Sequence, residues 1–320
     1  MPTTVIPRNA TMNAHAGLIL SALIIGFSFP AVGTIGEGLP PLMLTALRFA
    51  IAAIAVTPLL ARLPMERPSA PGLVLYALMG LCLAAFFGTM FWAAHHASAQ
   101  SMATLYVSVP LMAYGFGRVL QVESRSPRLL ALLLVGAGGA LLLIWAEFRH
   151  AAGALGFGAG EAGFLAACLG SAAYPVLSKL GLKRGWLSPH AAARAFWSLG
   201  AGAVLIGLAG LGFEEAGALL QMTSRDALVV LYLAVFSTGL TFWLLQRANS
   251  VLSPGQVTAY GYLAPFVAML LLFVTEPDRI GWHWLPGSLL VITAIALLLR
   301  GDVRPRPPLP VRSAENCALC

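Results

Sequence analysis

The sequence predicts an all-α membrane protein in which ten transmembrane helices form two inverted five-helix repeats. Three observations predict this fold class. The 320 residues are 59% hydrophobic and only 10% charged, whereas soluble domains carry about 25% charged residues. The apolar residues come in blocks of about 20, the length that a helix needs to cross a bilayer. A set of landmarks recurs in the same order in both halves of the chain.

Helices fit the apolar blocks because open backbone and free strand edges are not tolerated in lipid. A transmembrane β-barrel would show short alternating segments instead. The blocks span residues 15–35, 40–61, 71–93, 99–120, 127–146, 161–180, 189–212, 226–246, 253–275 and 281–300. The first block is too long for a typical signal-peptide core, so we expect it to be retained after a short N-terminal segment, residues 1–14. The proline-rich, polar residues 301–320 are predicted to be a disordered tail.

The net charge of +7 does not indicate a nucleic-acid partner, because its distribution follows membrane topology. With a cytoplasmic N-terminus, fourteen Lys and Arg residues fall on the cytoplasmic side, and only Arg149, Arg225 and Arg279 fall outside. The positive-inside rule then places both termini in the cytoplasm. The prediction is a multi-pass protein of the cell inner membrane, with the lipid bilayer and a small-molecule substrate as partners. The oligomeric state is left open.

The repeat is defined by landmarks that recur at a spacing of about 150 residues. The first half contains Pro30, Arg48, Phe91–Trp92, Pro110 and Glu123, and the second contains Pro175, Arg194, Phe242–Trp243, Pro265 and Glu276. Each half holds five helices, so the second half must enter the membrane from the opposite side. Residues 15–150 and 151–300 are therefore predicted to be inverted repeats, an architecture common among secondary transporters.

Inverted repeats suit alternating access, because exchanging the conformations of the halves moves the opening of a central cavity to the other side. Pro30, Pro110, Pro175 and Pro265 lie in the first and fourth helices of the halves, where each removes a backbone hydrogen bond. We predict that these positions bend during gating. The alternative is that proline is simply frequent in membrane helices.

The chain resembles the drug/metabolite transporter superfamily, specifically its EamA-type ten-helix exporters. The resemblance covers residues 15–300 and is carried by a proline-bearing first helix, "LRF" in the second, "P…E" across the fourth and its loop, and the Gly-rich fifth, "VGAGGALLLIW". It implies cytoplasmic termini, a cavity lined by the first four helices of each half, peripheral fifth and tenth helices, and export of amino acids or other metabolites. YddG-like exporters of aromatic amino acids are one candidate match.

The substrate site is expected at the interface of the halves, with apolar walls and a few polar groups. Tyr106 and Tyr260 occupy comparable places in the two repeats, and their hydroxyl groups should seek partners. The candidate lining residues are Phe27, Ser28, Trp92, Thr104, Tyr106, Ser171, Tyr174, Trp243, Gln256, Tyr260 and Tyr262. The alternative roles are helix–helix hydrogen bonding and anchoring at the membrane interface.

Charged and titratable candidates are few. Arg48 and Arg194 lie inside helices, where they could bind a substrate carboxylate or make structural contacts. His95 and His96 lie at the predicted outer mouth, where they could serve gating or coupling or remain wet interfacial residues. No Asp or Glu lies in the middle of a predicted helix. Because ion-driven antiporters usually need such a relay, we expect downhill transport or coupling through another group.

Other functional classes have less support. The sequence lacks the H-E-x-x-H and G-x-S-x-G motifs, so no catalytic residue is predicted and an intramembrane enzyme is disfavoured. Cys317 and Cys320 form a lone C-x-x-C without two further ligands, so neither a metal site nor a cofactor is predicted. A channel remains an alternative. So does a transporter of phosphorylated sugars or nucleotide sugars, for which only Arg48, Arg194 and Lys179 could supply charge.

Overall fold

The computed structural model describes residues 8–36, 38–61, 67–94, 96–148, 158–275 and 281–303, and these residues form helices without a strand. The first half contains α1 (Arg8–Val32), α2 (Pro41–Leu60), α3 (Ala70–Ala94), α4 (Ala99–Tyr106), α5 (Val109–Val119) and α6 (Pro127–Phe148). The second contains α7 (Ala159–Arg184), α8 (Ala191–Phe213), α9 (Ser224–Tyr232), α10 (Thr241–Val251), α11 (Pro254–Ala259), α12 (Leu263–Thr275) and α13 (Leu285–Val303).

Eight stretches of the described chain are long and apolar enough to cross a membrane. They lie in α1, α2, α3, α6, α7, α8, the continuous rod from α9 to α10, and α13. The fourth and ninth predicted helices supply the remaining two segments, as α4 with α5 and α11 with α12. The ten-helix fold class is confirmed, with one correction: the fourth and ninth segments are each broken near the middle rather than continuous.

Proline chemistry accounts for both breaks. Pro110 has no N–H to donate to the preceding turn, so α4 ends at Tyr106 and α5 begins at Val109. The Ser108 hydroxyl donates a hydrogen bond to the Leu105 carbonyl at 2.6 Å and so satisfies a carbonyl at this break. In the ninth segment, Pro265 follows a single 3-10 turn, Tyr260–Tyr262.

The other two prolines do not interrupt their helices. Pro30 lies in the last turn of α1, and α7 continues as one helix through Pro175. Bending of the four proline positions during transport stays a prediction. The end of α7 has its own signal, because Gly185 adopts a positive φ of 69°, a conformation that glycine accepts without strain.

The packing of the two halves follows their exchange symmetry. α2 packs against α8, α5 against α11 and α6 against α13, so corresponding helices pair with each other. The contact of α3 with α7 has its counterpart in the contact of α1 with α10. Both halves therefore contribute equivalent surfaces to one interface, as expected for repeats related by a two-fold axis in the membrane plane.

The Gly-rich fifth helix finds its partner within the same chain. A Cβ atom on Gly287 of α13 would lie 2.8 Å from the carbonyl oxygen of Gly139 on α6, so the two backbones approach closely. Small residues allow this kind of helix contact in membranes. α6 and α13 thereby form their own pair, and the broken fourth and ninth segments pack on α7 and α1 respectively.

Candidate functional site

The start of α2 is fixed by a residue of the other half. The Glu214 carboxylate, at the end of α8, accepts hydrogen bonds from the backbone N–H groups of Leu42 at 2.8 Å and Met43 at 2.9 Å. A carboxylate suits this place because the first turn of a helix has unsatisfied N–H donors. α2 is thus held in register against the second half before it enters the interface.

Arg48 lies about two turns into α2 and reaches across to the second half. Its Nε donates to Thr238 Oγ1, and its Nη2 donates to Ser237 Oγ at 3.3 Å. Thr238 lies near the middle of the 28-residue span Ser224–Val251. The Arg48 guanidinium is therefore held deep between the halves.

Ser237 and Thr238 belong to an unusual stretch of helix. Residues Leu233–Leu240 form a π-helix between α9 and α10, which we call the π segment. Each hydrogen bond in a π-helix spans five residues, which shifts the side-chain register and is often found at functional sites. Gly239 allows the π segment to approach α2, because a Cβ at this position would lie 3.3 Å from the Ala52 carbonyl oxygen.

A row of aromatic rings extends from Arg48 towards the break in the fourth segment. The Arg48 Cζ lies 5.9 Å from the centroid of the Phe87 ring. Phe87 packs edge-to-face on Phe86 at 5.2 Å, and Phe86 lies 5.9 Å from Tyr106 and 6.2 Å from Phe164. We call Phe86, Phe87, Tyr106 and Phe164 the aromatic row. Tyr106 is the last residue of α4, so helix termination itself brings its ring here.

Arg194, the counterpart of Arg48 in the second repeat, has a different environment. It is fully buried, with 0% exposure. Nε donates to Gln246 Oε1 at 3.1 Å, and Nη2 donates to the Gln246 carbonyl at 2.7 Å and to Ser250 Oγ at 2.6 Å. Nη1 donates to the carbonyl oxygens of Ser188 and Pro189 at 2.7 and 2.9 Å. We call Arg194 with these four partners the Arg194 clasp.

The Arg194 clasp continues into a buried hydrogen-bond network on α7. Gln246 Oε1 also accepts from Ser178 Oγ at 2.6 Å, and Gln246 Nε2 donates to the Tyr174 hydroxyl at 2.8 Å. Tyr174 in turn pairs with Ser198 at 2.9 Å. The network ties α7, α8 and α10 together within the second half.

Lys179 closes the end of α10. Its Nζ donates to the carbonyl oxygens of Asn249 at 2.8 Å, Ser250 at 3.3 Å and Leu252 at 2.9 Å. A cation is favourable here because the last carbonyl groups of a helix lack partners and the helix dipole is negative at this end. The charge of Lys179 is therefore directed at α10 rather than at the aromatic row.

Glu123 links the halves at the same end of the molecule. Its Oε2 accepts a hydrogen bond from the Gly255 backbone N–H in the first turn of α11 at 3.0 Å, and its backbone carbonyl accepts from Arg118 Nη1 at 3.0 Å. Burial raises the pKa of the Glu123 carboxyl above its ordinary value of 4.5. Close by, Lys183 Nζ donates to the Gln121 carbonyl at 2.7 Å, a second contact between the halves.

Three of the predicted lining tyrosines are almost fully buried. Tyr174 and Tyr262 are 2% exposed and Tyr260 is 3% exposed. The Tyr260 hydroxyl pairs with His15 Nδ1 on α1 at 2.6 Å, which joins the two halves. The Tyr262 hydroxyl has no hydrogen-bond partner among the described residues, and its ring contacts Gly136.

The described tryptophan and histidine candidates have partners other than Arg48. Trp92 is 45% exposed and stacks on His96 at 4.5 Å between ring centroids. Trp243 lies under Arg247, with the Arg247 Cζ 5.7 Å from its ring. His96 is exposed and bonds the Trp92 carbonyl at 2.9 Å. His95 lies outside the described residues.

The remaining predicted residues are scattered. Phe27 is 51% exposed, and the Ser28 hydroxyl donates to the Ile25 carbonyl at 2.6 Å. Gln256 Oε1 accepts from the Ser253 N–H at 2.9 Å and caps α11. Thr104 is half-buried in α4. Ser171 lies beside the Tyr106 hydroxyl, so these two predicted residues do come together at the aromatic row.

The sequence reasoning missed the closest neighbours of Arg48. Ser237 and Thr238 are ordinary hydroxyl residues in an apolar helix, and a π-helix has no recognised sequence signature. Phe86 and Phe87 were indistinguishable from packing residues. In the described part of the chain, no group of three His, Cys, Asp or Glu residues could hold a metal ion. The pair Cys317 and Cys320 lies outside that part.

One family model matches both halves of the chain. The profile described as "EamA-like transporter family" matches residues 12–145 and again residues 158–300. The Escherichia coli K12 protein named "Uncharacterized inner membrane transporter YedA" is 27% identical over 296 residues, covering 91% of this chain and 93% of its own length. The same protein from Escherichia coli O157:H7 matches equally. A solved crystal structure has a TM-score of 0.72 at 21% identity and covers 91% of this chain and 98% of its own.

Proposed function

This chain belongs to the EamA-like transporter family, as its resemblance predicted, and from that premise we propose that it exports amino acids or similar small metabolites by alternating access. The solute binds between the halves, beside Arg48 and the aromatic row. The halves then exchange conformations, so the site opens first to one compartment and then to the other. YddG-like specificity for aromatic amino acids is part of this proposal.

The observation that carries the proposal is the pair of helix breaks at corresponding places in the two halves. α4 ends at Tyr106 and α11 gives way to a 3-10 turn at Tyr260, in each case before a proline. Broken backbone at membrane depth is tolerated only against protein or a cavity. In transporters with inverted repeats, interrupted helices mark the solute site at the interface of the repeats.

Contacts between the halves support an exchange of conformations. Each half caps a helix of the other: Glu123 caps α11 at one end of the molecule, and Glu214 caps α2 at the other. Asp226 adds a hydrogen bond from the Gly36 N–H at 3.0 Å beside the Glu214 contact. These are small polar contacts, so one end can open while the other stays closed at modest cost in free energy.

The environments of the cationic residues favour a weakly charged solute over phosphorylated sugars or nucleotide sugars. Phosphate groups are usually held by several cationic side chains. Lys179 is directed at the end of α10 and Arg194 is enclosed in its clasp. Arg48 is then the single cation of the predicted three that faces the aromatic row. A monoanionic or zwitterionic solute matches one such charge.

We further propose that transport is downhill and that the protein resides in the inner membrane with both termini in the cytoplasm. Glu161 and Asp226, the described carboxylates within the spans, lie in the first turns of α7 and α9 rather than at mid-depth. The relatives named inner membrane transporters support the location. The distribution of Lys and Arg supports the orientation.

Counterflow in sealed vesicles tests the transport mechanism. The purified chain is reconstituted, the vesicles are loaded with unlabelled solute, and uptake of the labelled solute is followed over a panel of amino acids, sugar phosphates, purines and organic cations. A carrier shows uptake that is accelerated by the internal solute. Uptake without that acceleration indicates a channel, and chemical conversion of the solute indicates an enzyme; either result rejects the proposal.

An imposed pH gradient tests the downhill claim in the same vesicles. Solute should equilibrate with or without the gradient. Accumulation of solute against its own gradient, driven by protons, contradicts downhill transport. The orientation is tested by labelling single cysteines placed at residues 150 and 183, which should react from opposite sides of the membrane.

A further inference from the structure

We propose that Arg48 binds the carboxylate of the transported solute, while the aromatic row holds the apolar part of the same molecule. The inference rests on the proposed function and adds to it the chemical group that the site recognises. It selects carboxylates that carry an apolar or aromatic side group over amides, amines and neutral sugars.

Arg48 has no counter-charge among the described residues. A guanidinium deep in a membrane is costly unless it is paired, and such a charge usually marks a substrate pathway or a relay. Thr238 and Ser237 are the hydrogen-bond partners of Arg48 in the described chain, and both are neutral hydroxyl groups. No carboxylate of a described residue pairs with Arg48. Its positive charge is therefore hydrogen-bonded, but no described residue neutralises it.

The Arg48 guanidinium also has N–H donors that no described residue uses. A guanidinium has five N–H donors in a planar fork, and Arg48 uses Nε and Nη2 on the two hydroxyl groups. Nη1 donates to no described residue. Arg48 is half-buried, so part of its side chain remains accessible. A carboxylate matches the fork because its two oxygens accept parallel hydrogen bonds.

The surface next to the Arg48 guanidinium is aromatic. The Phe87 ring lies under the guanidinium, and Phe86 and Tyr106 continue the aromatic row towards the break in the fourth segment. Aromatic faces pack well against apolar and aromatic groups. A solute with its carboxylate on Arg48 can lay its side chain along these rings. Amphipathic amino acids have this shape.

The contrast with Arg194 favours a role in solute binding over a purely structural role for the charge of Arg48. Arg194 donates its hydrogen bonds to carbonyl oxygens and to the side chains of Gln246 and Ser250, all within its own half. Arg48 makes no hydrogen bond to a carbonyl oxygen of the described chain, and both of its partners lie in the opposite half. Arg48 therefore does not form the kind of structural clasp that Arg194 forms at the same position of the other repeat.

The test compares matched solutes and matched variants in counterflow. The solutes are phenylalanine and leucine, each with its carboxamide analogue. The variants are Arg48→Gln, Arg48→Lys and, as a control for loss of one positive charge, Arg184→Gln, which removes an exposed arginine at the end of α7. All are purified as the full chain and checked for monodispersity and for the melting temperature without ligand.

We expect the wild-type chain to exchange the carboxylates and to discriminate against the carboxamides. Arg48→Gln should lower carboxylate exchange by roughly tenfold to a hundredfold, the effect of losing a charge-assisted pair, and should leave carboxamide exchange unchanged. Arg48→Lys should fall between, because it keeps the charge without the fork. Arg184→Gln should behave as the wild type. Equal losses for both solute classes, or no loss in Arg48→Gln, overturn the inference.

Ligand-induced stabilisation in detergent separates this inference from the proposed function. The two carboxylates should raise the melting temperature of the wild type and of Arg184→Gln but not that of Arg48→Gln. If the melting temperatures show this pattern but counterflow is absent, the result rejects transport and keeps the binding assignment. Exchange of carboxamides as fast as carboxylates, without selective stabilisation, rejects the binding assignment and keeps transport. Preference for phenyl phosphate over phenylalanine replaces the carboxylate with a phosphate and also overturns it.

Discussion

Arg48 and Arg194 occupy corresponding places in the two repeats, yet the protein uses them differently. Arg194 is enclosed by carbonyl oxygens, an amide and a hydroxyl of its own half, with no exposed surface. Arg48 is half-buried, contacts two hydroxyl groups of the other half, and faces the Phe87 ring. The difference shows that the repeat sets the position of each arginine, whereas the residues around it set its chemical environment.

The partners differ because the helices that receive the two arginines differ. Arg194 packs against regular α10, where Gln246 and Ser250 lie one turn apart and face the same way. Arg48 packs against the π segment, which offers the small side chains of Ser237 and Thr238 and, through Gly239, a close backbone approach. The regular helix encloses the Arg194 guanidinium, whereas the π segment gives Arg48 two hydroxyl partners and leaves its side chain half-buried.

The largest effect should come from breaking the Arg194 clasp. Arg194→Gln removes the buried donor of the Ser188 and Pro189 carbonyl oxygens and also the hydrogen bonds from Arg194 to Gln246 and Ser250. We expect a loss of about 3–5 kcal/mol in the free energy of unfolding, the usual cost of removing one partner from a buried charged network. Denaturation of the purified chain in mixed micelles measures it. Arg184→Gln is the control for loss of one positive charge. A loss under about 1 kcal/mol in Arg194→Gln would show that the Arg194 clasp does not stabilise the fold.

A neutral contact between the halves gives a reference for the two charged sites. Tyr260→Phe removes the hydroxyl that pairs with His15 Nδ1 at 2.6 Å. We expect a loss of about 1–2 kcal/mol, because the hydrogen bond is buried. A double-mutant cycle with His15→Ala isolates the pair in the same micelle assay. Additive losses in that cycle would mean that the two side chains do not interact in the folded chain.

The Glu123 contact should respond to pH in a direction set by its environment. Burial raises the pKa of Glu123 above 4.5, so the folded chain holds the proton more tightly than the unfolded chain does. This stabilisation is fully present below pH 4.5 and is lost as pH rises through the folded pKa. Glu123→Gln keeps an acceptor for the Gly255 N–H and does not titrate.

The comparison of melting temperatures at a series of pH values tests that direction. The advantage of Glu123→Gln over the wild type should increase above pH 4.5 and then level off, and it should be small because Lys179 and Arg118 lie nearby and oppose the effect of burial. An advantage that instead shrinks with rising pH would show that the ionised carboxylate is the favoured form in the folded chain.

The smallest change in stability should come from Arg48, the residue proposed to bind the solute. Arg48→Gln removes a charge that no described residue neutralises and leaves two hydroxyl groups that can bond to the new amide. We expect its free energy of unfolding to stay within about 1 kcal/mol of the wild type. A loss as large as that of Arg194→Gln would erase the contrast between the two sites and assign Arg48 to the fold.

The sequence predicted the membrane architecture well because that architecture depends on local properties. Blocks of apolar residues require helices in lipid whatever their neighbours are, and the landmarks at near-constant offset revealed the duplication. The prolines marked the breaks at Pro110 and Pro265, although the sequence could not show that Pro30 would lie in a last turn or that α7 would pass Pro175 without a break. Bounds and breaks depend on compensating contacts as well as on residue type.

Tyr106 and Arg48, which line the proposed site, were predicted from their repeat positions, while Tyr174 and Tyr260 lie in buried hydrogen-bond networks. A polar side chain inside an apolar helix carries no local sign of whether it faces a cavity or another helix. His15, whose pair with Tyr260 joins α1 to the ninth segment, had no motif to distinguish it either.

The sequence by itself determined that this chain crosses the membrane as two inverted copies of one helical unit, because hydrophobicity and helix length act residue by residue. Only the tertiary structure decided which arginine is enclosed within its own half and which stays half-buried between the halves. Thr238 lies 190 residues from Arg48 and Gln246 lies 52 from Arg194 along the chain. The chemistry of a charge in lipid is set by such distant partners, which only folding brings into contact.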